Sequence, residues 1–475
     1  MVAQVDEDQI AMIALPMHPA RYADLIAGIG DGQGAAGVGA IGVHGVLIFQ
    51  NRFTEMTNCC GPAMGLPCRP FDQPAGRGPA HNKIEDHMQI HPLITDSKTL
   101  SDFCARIANS PYVAVDTEFM RENSYWPDLC LVQVADSHEA AAIDPKAPGI
   151  DLTPLLNLLV DNEDVLKVFH AGGQDIEIVH NLTGKAPHPM FDTQIAAMAL
   201  GLGEQIGYGN LVDAWLGVQL DKGARFTDWA RRPLDKRQID YAIGDVTYLI
   251  KIFPKMLEEL KKTGRGDWLD QEMERISNPS NYENDPADAW KRVRIASRKA
   301  DVLGRLKALA AWREMEAQDK NLPRGRIVKD ETLADIASHP PRAQEDLGKV
   351  RGLSATWKTN DIGARLMSAI KASQPLDRDE MPERDPKRPG LGKDGALVAD
   401  LLKLLLKIRS RDIDVAARLI ARSDDIDALA AGVREGLSIL EGWRYEQFGR
   451  DAVDLVEGRL AFAVKGGRLK MTRTE

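Results

Sequence analysis

Four carboxylates and a tyrosine stand in three separated segments of this chain: Asp116 and Glu118 in YVAVDTEF, Asp175 in VFHAGGQDIEIV, and Tyr241 with Asp245 in YAIGDVTYL. Successive side chains of a β-strand alternate faces, so the D-x-E spacing turns Asp116 and Glu118 to one side. On a helix, positions i and i+4 are neighbours, which places Tyr241 and Asp245 on one face. Carboxylates gathered this closely repel and raise one another's pKa unless cations intervene. Two divalent ions would relieve that repulsion and create a centre for phosphoryl chemistry. Taken singly, Asp175 reads equally well as a charge placed favourably at a helix start, and Tyr241 as a core tyrosine. The acids of YVAVDTEF are harder to explain without function, because they sit where an apolar, β-branched strand emerges, an unfavourable place for unpaired charge.

The elements that must position these groups follow from pattern. MQIHPLITDSKTLSDFCARI reads as a short strand, a turn and a capped helix. Short β-rich runs recur at YVAVDTEF, LCLVQVAD, EAAAID and VLKVFHA, followed by helical stretches around Gln174–Leu182, Thr193–Leu200 and Asn210–Leu216 and a long helix from Gln238 to Leu260. Three closely spaced early strands predict an antiparallel meander joined to parallel crossovers, hence an α/β mixed sheet flanked by helices. After Asp285 strand signals nearly vanish. Val302, Leu303, Leu306, Leu309 and Ala310 recur at helical spacing, as do Leu333, Ile336 and Ala337. Residues 374–394, dense in proline and charge, read as a linker to a second all-helical unit over 395–470.

Residues 1–87 differ from the rest. Eight glycines lie between Gly28 and Gly45, and a Pro/Gly-rich stretch follows, a composition that buries too little apolar surface to offset ordering. The expectation is a disordered extension, with Met88 as the functional start. G-x-G-x-x-G matches at Gly32, Gly34, Gly37 and at Gly390, Gly392, Gly395 have no strand before them, which argues against a dinucleotide site.

With 60 Lys/Arg against 70 Asp/Glu the net charge is −10, which argues at first against a polyanionic partner. The distribution reverses that view. Residues 112–275 hold about 27 acids and about 16 bases, whereas 285–330 hold about 7 and about 12. An acidic catalytic module beside a basic segment suits a metal-dependent enzyme acting on a polyanion. The five cysteines form no C-x-x-C pair and favour a reducing compartment. No apolar run approaches the roughly 18 residues needed to span a membrane, and the N-terminus is acidic where a signal peptide is basic. The expectation is a cytoplasmic protein.

At this point the residues carry a resemblance. DTEF, HAGGQD and YAIGD resemble the three exonuclease motifs of the DEDD superfamily in its tyrosine-containing branch, and HAGGQDI, the Asp192–Thr193 pair and DWARRPLDKRQIDYAIGDVTYL resemble the ribonuclease D family in particular. LKALAAWREMEAQDKNLPRGRIVKDETLADIASHPP is similar to an HRDC domain, and GWR at 442–444 with FG at 448–449 is similar to a second such domain. The resemblance implies a ribonuclease-H-like exonuclease domain over 88–285, an HRDC domain over 295–373 and a second HRDC-like domain over 395–470. It implies 3′–5′ hydrolysis of RNA ends with release of mononucleotides, notably in tRNA 3′ maturation, by a monomer. It also implies that Asp116, Glu118, Asp175 and Asp245 hold two Mg²⁺ or Mn²⁺ ions. In that scheme Asp116 bridges both ions, Glu118 and Asp245 serve the one that activates water, and Asp175 serves the other. Tyr241 orients the attacking water, and a phenol with an ordinary pKa near 10 positions better than it deprotonates.

Substrate contacts are expected from Arg121, Tyr125 and Trp126, in the loop after the DTE strand, and from His170 beside the glycine pair; each is equally readable as structural. The basic run Arg231, Arg232, Lys236 and Arg237 admits phosphate tracking or a solvated helix start. Two alternatives stay open: a DNA 3′–5′ exonuclease, since sugar discrimination rests on 2′-OH contacts, and a non-catalytic RNA-binding scaffold.

Overall fold

The computed structural model describes residues 88–475 except 222, 224–226, 382–390 and 474–475. The extension expected over 1–87, with its Gly32/Gly34/Gly37 motif, lies outside the described residues, as does Gly390.

A six-stranded mixed sheet organises the first half. Its strands are β1 (Gln89–Ile90), β2 (Tyr112–Met120), β3 (Asp128–Ala135), β4 (Glu139–Ile143), β5 (Leu166–Phe169) and β6 (Met190–Asp192), in the spatial order β1-β4-β3-β2-β5-β6. The meander β2–β3–β4 is antiparallel, while β1 on β4, β2 on β5 and β5 on β6 are parallel. The helices are α1 (Ser97–Ile107), α2 (Thr153–Val160), α3 (Gly173–Thr183), α4 (Thr193–Ala199), α5 (Tyr208–Leu216), α6 (Lys236–Thr247) and α7 (Leu249–Thr263). Asp96 caps α1 by accepting from the Thr99 N–H at 2.9 Å, which satisfies one orphan donor of the first turn.

Strand alternation decides which layer each residue joins. Val113 and Val115 of β2 pack with Phe103, Ile107, Leu155 and Val179 of α1, α2 and α3. Ala114 faces the other layer, with Ala196, Leu211, Phe253 and Met256 of α4, α5 and α7. The single long helix expected from Gln238 to Leu260 is divided at Tyr248 into α6 and α7. Pro254 lies inside α7, where it has no N–H to give the carbonyl four residues back.

After α8 (Asp270–Ser277), a separate core forms around α9 (Ala300–Asp319), α10 (Asp330–Ser338) and α11 (Asp361–Ala372), filled by Leu306, Leu309, Trp312, Leu333, Ile336 and Leu366. The segment read as a linker begins as part of this unit: Leu376 is buried and its N–H donates to the Ala300 carbonyl at 2.9 Å. Gly304 makes the close approach possible, since a Cβ there would lie 1.8 Å from the Gln374 carbonyl oxygen.

The last unit contains α12 (Lys393–Ile413), α13 (Ser423–Ala430) and α14 (Arg450–Val456), and it packs on the sheet domain. Trp443 stacks on Trp268 at 4.2 Å, and Arg444 donates to Gln271 at 2.6 Å and Glu272 at 2.9 Å. This unit is not helical to its end as expected. It closes with an antiparallel hairpin, β7 (Leu460–Lys465) and β8 (Arg468–Arg473). Its strands are short and interrupted by Lys and Arg, so alternation alone is a weak signal there.

Candidate active site

β2 carries Asp116 and Glu118 past the end of its parallel pairing. Its contact with β5 stops at Ala114 opposite Val168, whereas pairing with β3 continues through Glu118 to Met120 with a bulge between Glu118 and Phe119. The two acids thus stand at the carboxyl end of adjacent parallel strands, where open α/β sheets form their crevices. They share the Ala114 face, and α6 packs across β2, β3 and β4 there. Asp235 and Gln238 close a reciprocal capping box at the start of α6, which pins the helix one turn before Tyr241.

The result is a cluster of carboxylate oxygens from Asp116, Glu118 and Asp245, all within 4.8 Å of one another. Asp175 approaches from the other layer. It lies in the first turn of α3, 7% exposed, and accepts a hydrogen bond from Thr117, the residue between the two strand acids. The D-x-E motif therefore uses all three positions, with the outer two aimed toward α6 and the middle one fastening Asp175.

The turn that delivers Asp175 is tightly specified. Ala171 has φ +58°, a conformation uncommon outside glycine. A Cβ on Gly172 would lie 2.6 Å from the Phe169 Cβ. The Asp192 carboxylate accepts from the Ala171 and Gly172 N–H groups at 3.1 and 2.9 Å, so the strain of the turn is offset by two charge-assisted bonds.

The electrostatics are those of carboxylates gathered without cations. The Asp116 carboxyl is held well above its ordinary range, first by burial and then by Asp245, Asp175 and Glu118. Asp175 is pushed up to about 7 by burial, with the Thr117 hydroxyl pulling the other way. An oxygen-rich set of this kind fits a hard divalent cation, whose charge would reverse these shifts. Tyr241 lies on the same face of α6 as Asp245 and has Trp229 at 6.3 Å. Tyr208 was not anticipated. Its hydroxyl donates to the Gly244 carbonyl at 2.9 Å, and burial together with Asp245 and Asp116 raises its pKa. This bond joins the first residue of α5 to α6 across 36 positions of the chain, and no spacing rule signals it.

The expected substrate contacts fare differently. Tyr125 is buried in the neighbouring helical core, where its hydroxyl bonds to Glu314 and Arg324 lies 4.7 Å over its ring. Asn321 accepts from the Tyr125 and Trp126 N–H groups at 3.0 and 2.9 Å. These residues join the sheet domain to the helices, and the Tyr125 ring is not available for stacking on a base. Arg121 forms a two-pronged pair with Glu177, at 2.6 and 2.7 Å, rather than a free cation. His170 contacts Thr193 at 3.0 Å and the Ile206 carbonyl at 3.1 Å through its two ring nitrogens, and burial lowers its pKa, the marks of a satisfied interior imidazole. In the basic run, Arg232 clasps Asp144 at 2.7 Å through two nitrogens, and Lys236 pairs with Asp240.

The chain matches the family models for a 3′–5′ exonuclease over residues 92–261 and for an HRDC domain over 302–370. A ribonuclease D from Sphingobium indicum is 90% identical over 388 residues, covering 82% of this chain and 100% of that protein. The chain belongs to the ribonuclease D family. A ribonuclease D from Zymomonas mobilis is 64% identical, again over 388 residues and 100% of the relative. Among solved structures, Escherichia coli RNase D, an exoribonuclease involved in structured RNA processing, superposes with a TM-score of 0.65 at 29% identity, covering 78% of this chain and 99% of that one. The coarse activity is therefore that of a 3′–5′ exoribonuclease. Among the described residues no helix is long and apolar enough to cross a membrane.

Proposed function

We propose that the chain trims RNA 3′ ends one nucleotide at a time, with tRNA precursors among its substrates, using two divalent ions held by Asp116, Glu118, Asp175 and Asp245. One observation carries this reading: three carboxylates from two elements converge within 4.8 Å, while Thr117 holds the fourth beside them. When bound, such ions lower the pKa of an attacking water and neutralise the departing 3′-oxygen. The protein's own part is positional. β2 and α6 present oxygen ligands, Asp175 completes the set from α3, and the Tyr241 hydroxyl orients water beside Asp245.

The test is mononucleotide release from a 3′-extended tRNA with Mg²⁺, set beside the same RNA with a blocked 3′ end and a matched DNA strand. Release from the blocked RNA, or release unaffected by Asp116→Asn, would overturn the reading. Equal release from DNA would remove its preference for RNA.

A further inference from the structure

The hairpin that ends the last unit has two unlike faces. Residues directly opposed across an antiparallel pair share a face. Leu460, Phe462, Val464, Leu469 and Met471 therefore make one face, with Arg473 at its root, while Ala461, Ala463, Lys465, Arg468, Lys470 and Thr472 make the other. Between Arg459 and Arg473 there are five basic residues and no acidic one, in a chain of net charge −10. Arg459 and Arg473 are spoken for at the root, paired with Asp454, Glu457 and Asp451. Lys465, Arg468 and Lys470 are exposed, and among the described residues no ion pair reaches them.

The arrangement is unfavourable for the hairpin alone. Gly466 and Gly467, at φ +59° and +72°, form a tight turn that sets Lys465 directly opposite Arg468, and like charges directly opposed destabilise a ladder. Lys470 follows Arg468 by two positions, about 7 Å along the strand on the same face. Ala463, opposite Lys470, adds no bulk beside the cations, so a chain of anions can approach all three together. A lysine that merely guards an exposed strand edge does not require an opposed pair of cations.

We propose that this basic face docks the phosphate backbone of the substrate RNA, engaging its folded body while the 3′ end occupies the carboxylate site. The proposal rests on the RNA-trimming reading above and adds a second point of contact. It predicts that recognition divides by substrate, because a short single strand gains nothing from a surface outside the cleft.

The experiment compares the parent chain with a Lys465→Gln, Arg468→Gln, Lys470→Gln triple variant on a 3′-extended tRNA and on a short single-stranded oligomer, across a salt series. All three side chains are exposed, and circular dichroism checks the fold. On the tRNA, KM should rise roughly tenfold at low salt with kcat unchanged, and the slope of log affinity against log salt should fall by about two to three. On the oligomer both constants should match the parent. An unchanged KM and salt slope on the tRNA would overturn the proposal, as would an equal KM rise on both substrates. Self-association, or loss of a protein partner with tRNA kinetics intact, would assign the face to edge protection or protein docking instead. A parent inactive on both RNAs would sink the catalytic reading and this one with it; a variant indistinguishable from an active parent would sink this one alone.

Discussion

Lys167 offers a prediction that can be worked through from structure to assay. It lies in β5, fully buried, with its ammonium donating to the carbonyls of Asn162 and His188 at the end of the sheet opposite the carboxylates. Burial lowers its pKa from 10.5 to about 8. A lysine whose folded pKa is depressed opposes folding while protonated, and that cost disappears as pH rises from about 8 toward about 10.5, where the unfolded chain still binds the proton. A displacement of about 2.5 in pKa corresponds to about 3 kcal/mol, of which about 2 kcal/mol is recovered between roughly pH 7.5 and 10. Lys167→Met removes the titration. It also leaves two carbonyls short of a donor, a cost of about 1–3 kcal/mol each that does not vary with pH. In urea denaturation across this range, the parent should gain about 2 kcal/mol relative to the variant as pH rises. Parallel stability curves would show that Lys167 is not a buried, charge-strained lysine, and would refute the reasoning.

Other outcomes follow from the same contacts. Asp116→Asn should lower kcat by about a thousandfold or more while RNA binding persists, and near-normal turnover of the purified variant would contradict its place in the ligand set. Tyr241→Phe should lose roughly ten- to a hundredfold, because positioning is removed and the ligands stay; complete inactivity would argue for a role in proton transfer. Because Asp175 is pushed up to about 7, the ion-free protein loses stability as pH rises from the ordinary carboxylate range through about 7, and the raised Asp116 carboxyl acts in the same direction. Added Mg²⁺ should accordingly raise the melting temperature more at about pH 8 than at about pH 5.5, the opposite order counting against the cluster as the ion site. Gly304→Ala should destabilise the adjoining helical unit by about 2–3 kcal/mol, through the clash with the Gln374 carbonyl; a melt within experimental error of the parent would mean the segment after α11 is not packed there.

Much of the carboxylate cluster was legible in the chain because its signals are local. D-x-E on a strand and Y-x-x-x-D on a helix are one-dimensional statements of shared faces, and alternation in YVAVDTEF marks the strand without reference to any partner. The meander and the parallel crossovers followed from the close spacing of the early β-rich runs and the helical stretches after them. The surroundings of the loop residues expected to meet substrate were not legible, for a physical reason visible at Tyr125. An aromatic beside a cation in a loop has the same local signature whether it meets a base or a helix, and here Glu314, Asn321 and Arg324, some 190 residues on, claim it. Arg121 and His170 are decided in the same way, by Glu177 and by Thr193 with the Ile206 carbonyl.

The sequence by itself thus determined the identity and pairing of the acids, since those depend on spacing within single elements. Only the tertiary structure decided that Thr117 reaches across to fasten Asp175, that Tyr208 approaches Asp245, and that a basic hairpin closes the last unit. Each of these joins residues on different elements, and such a distance is set by packing rather than by any interval along the chain.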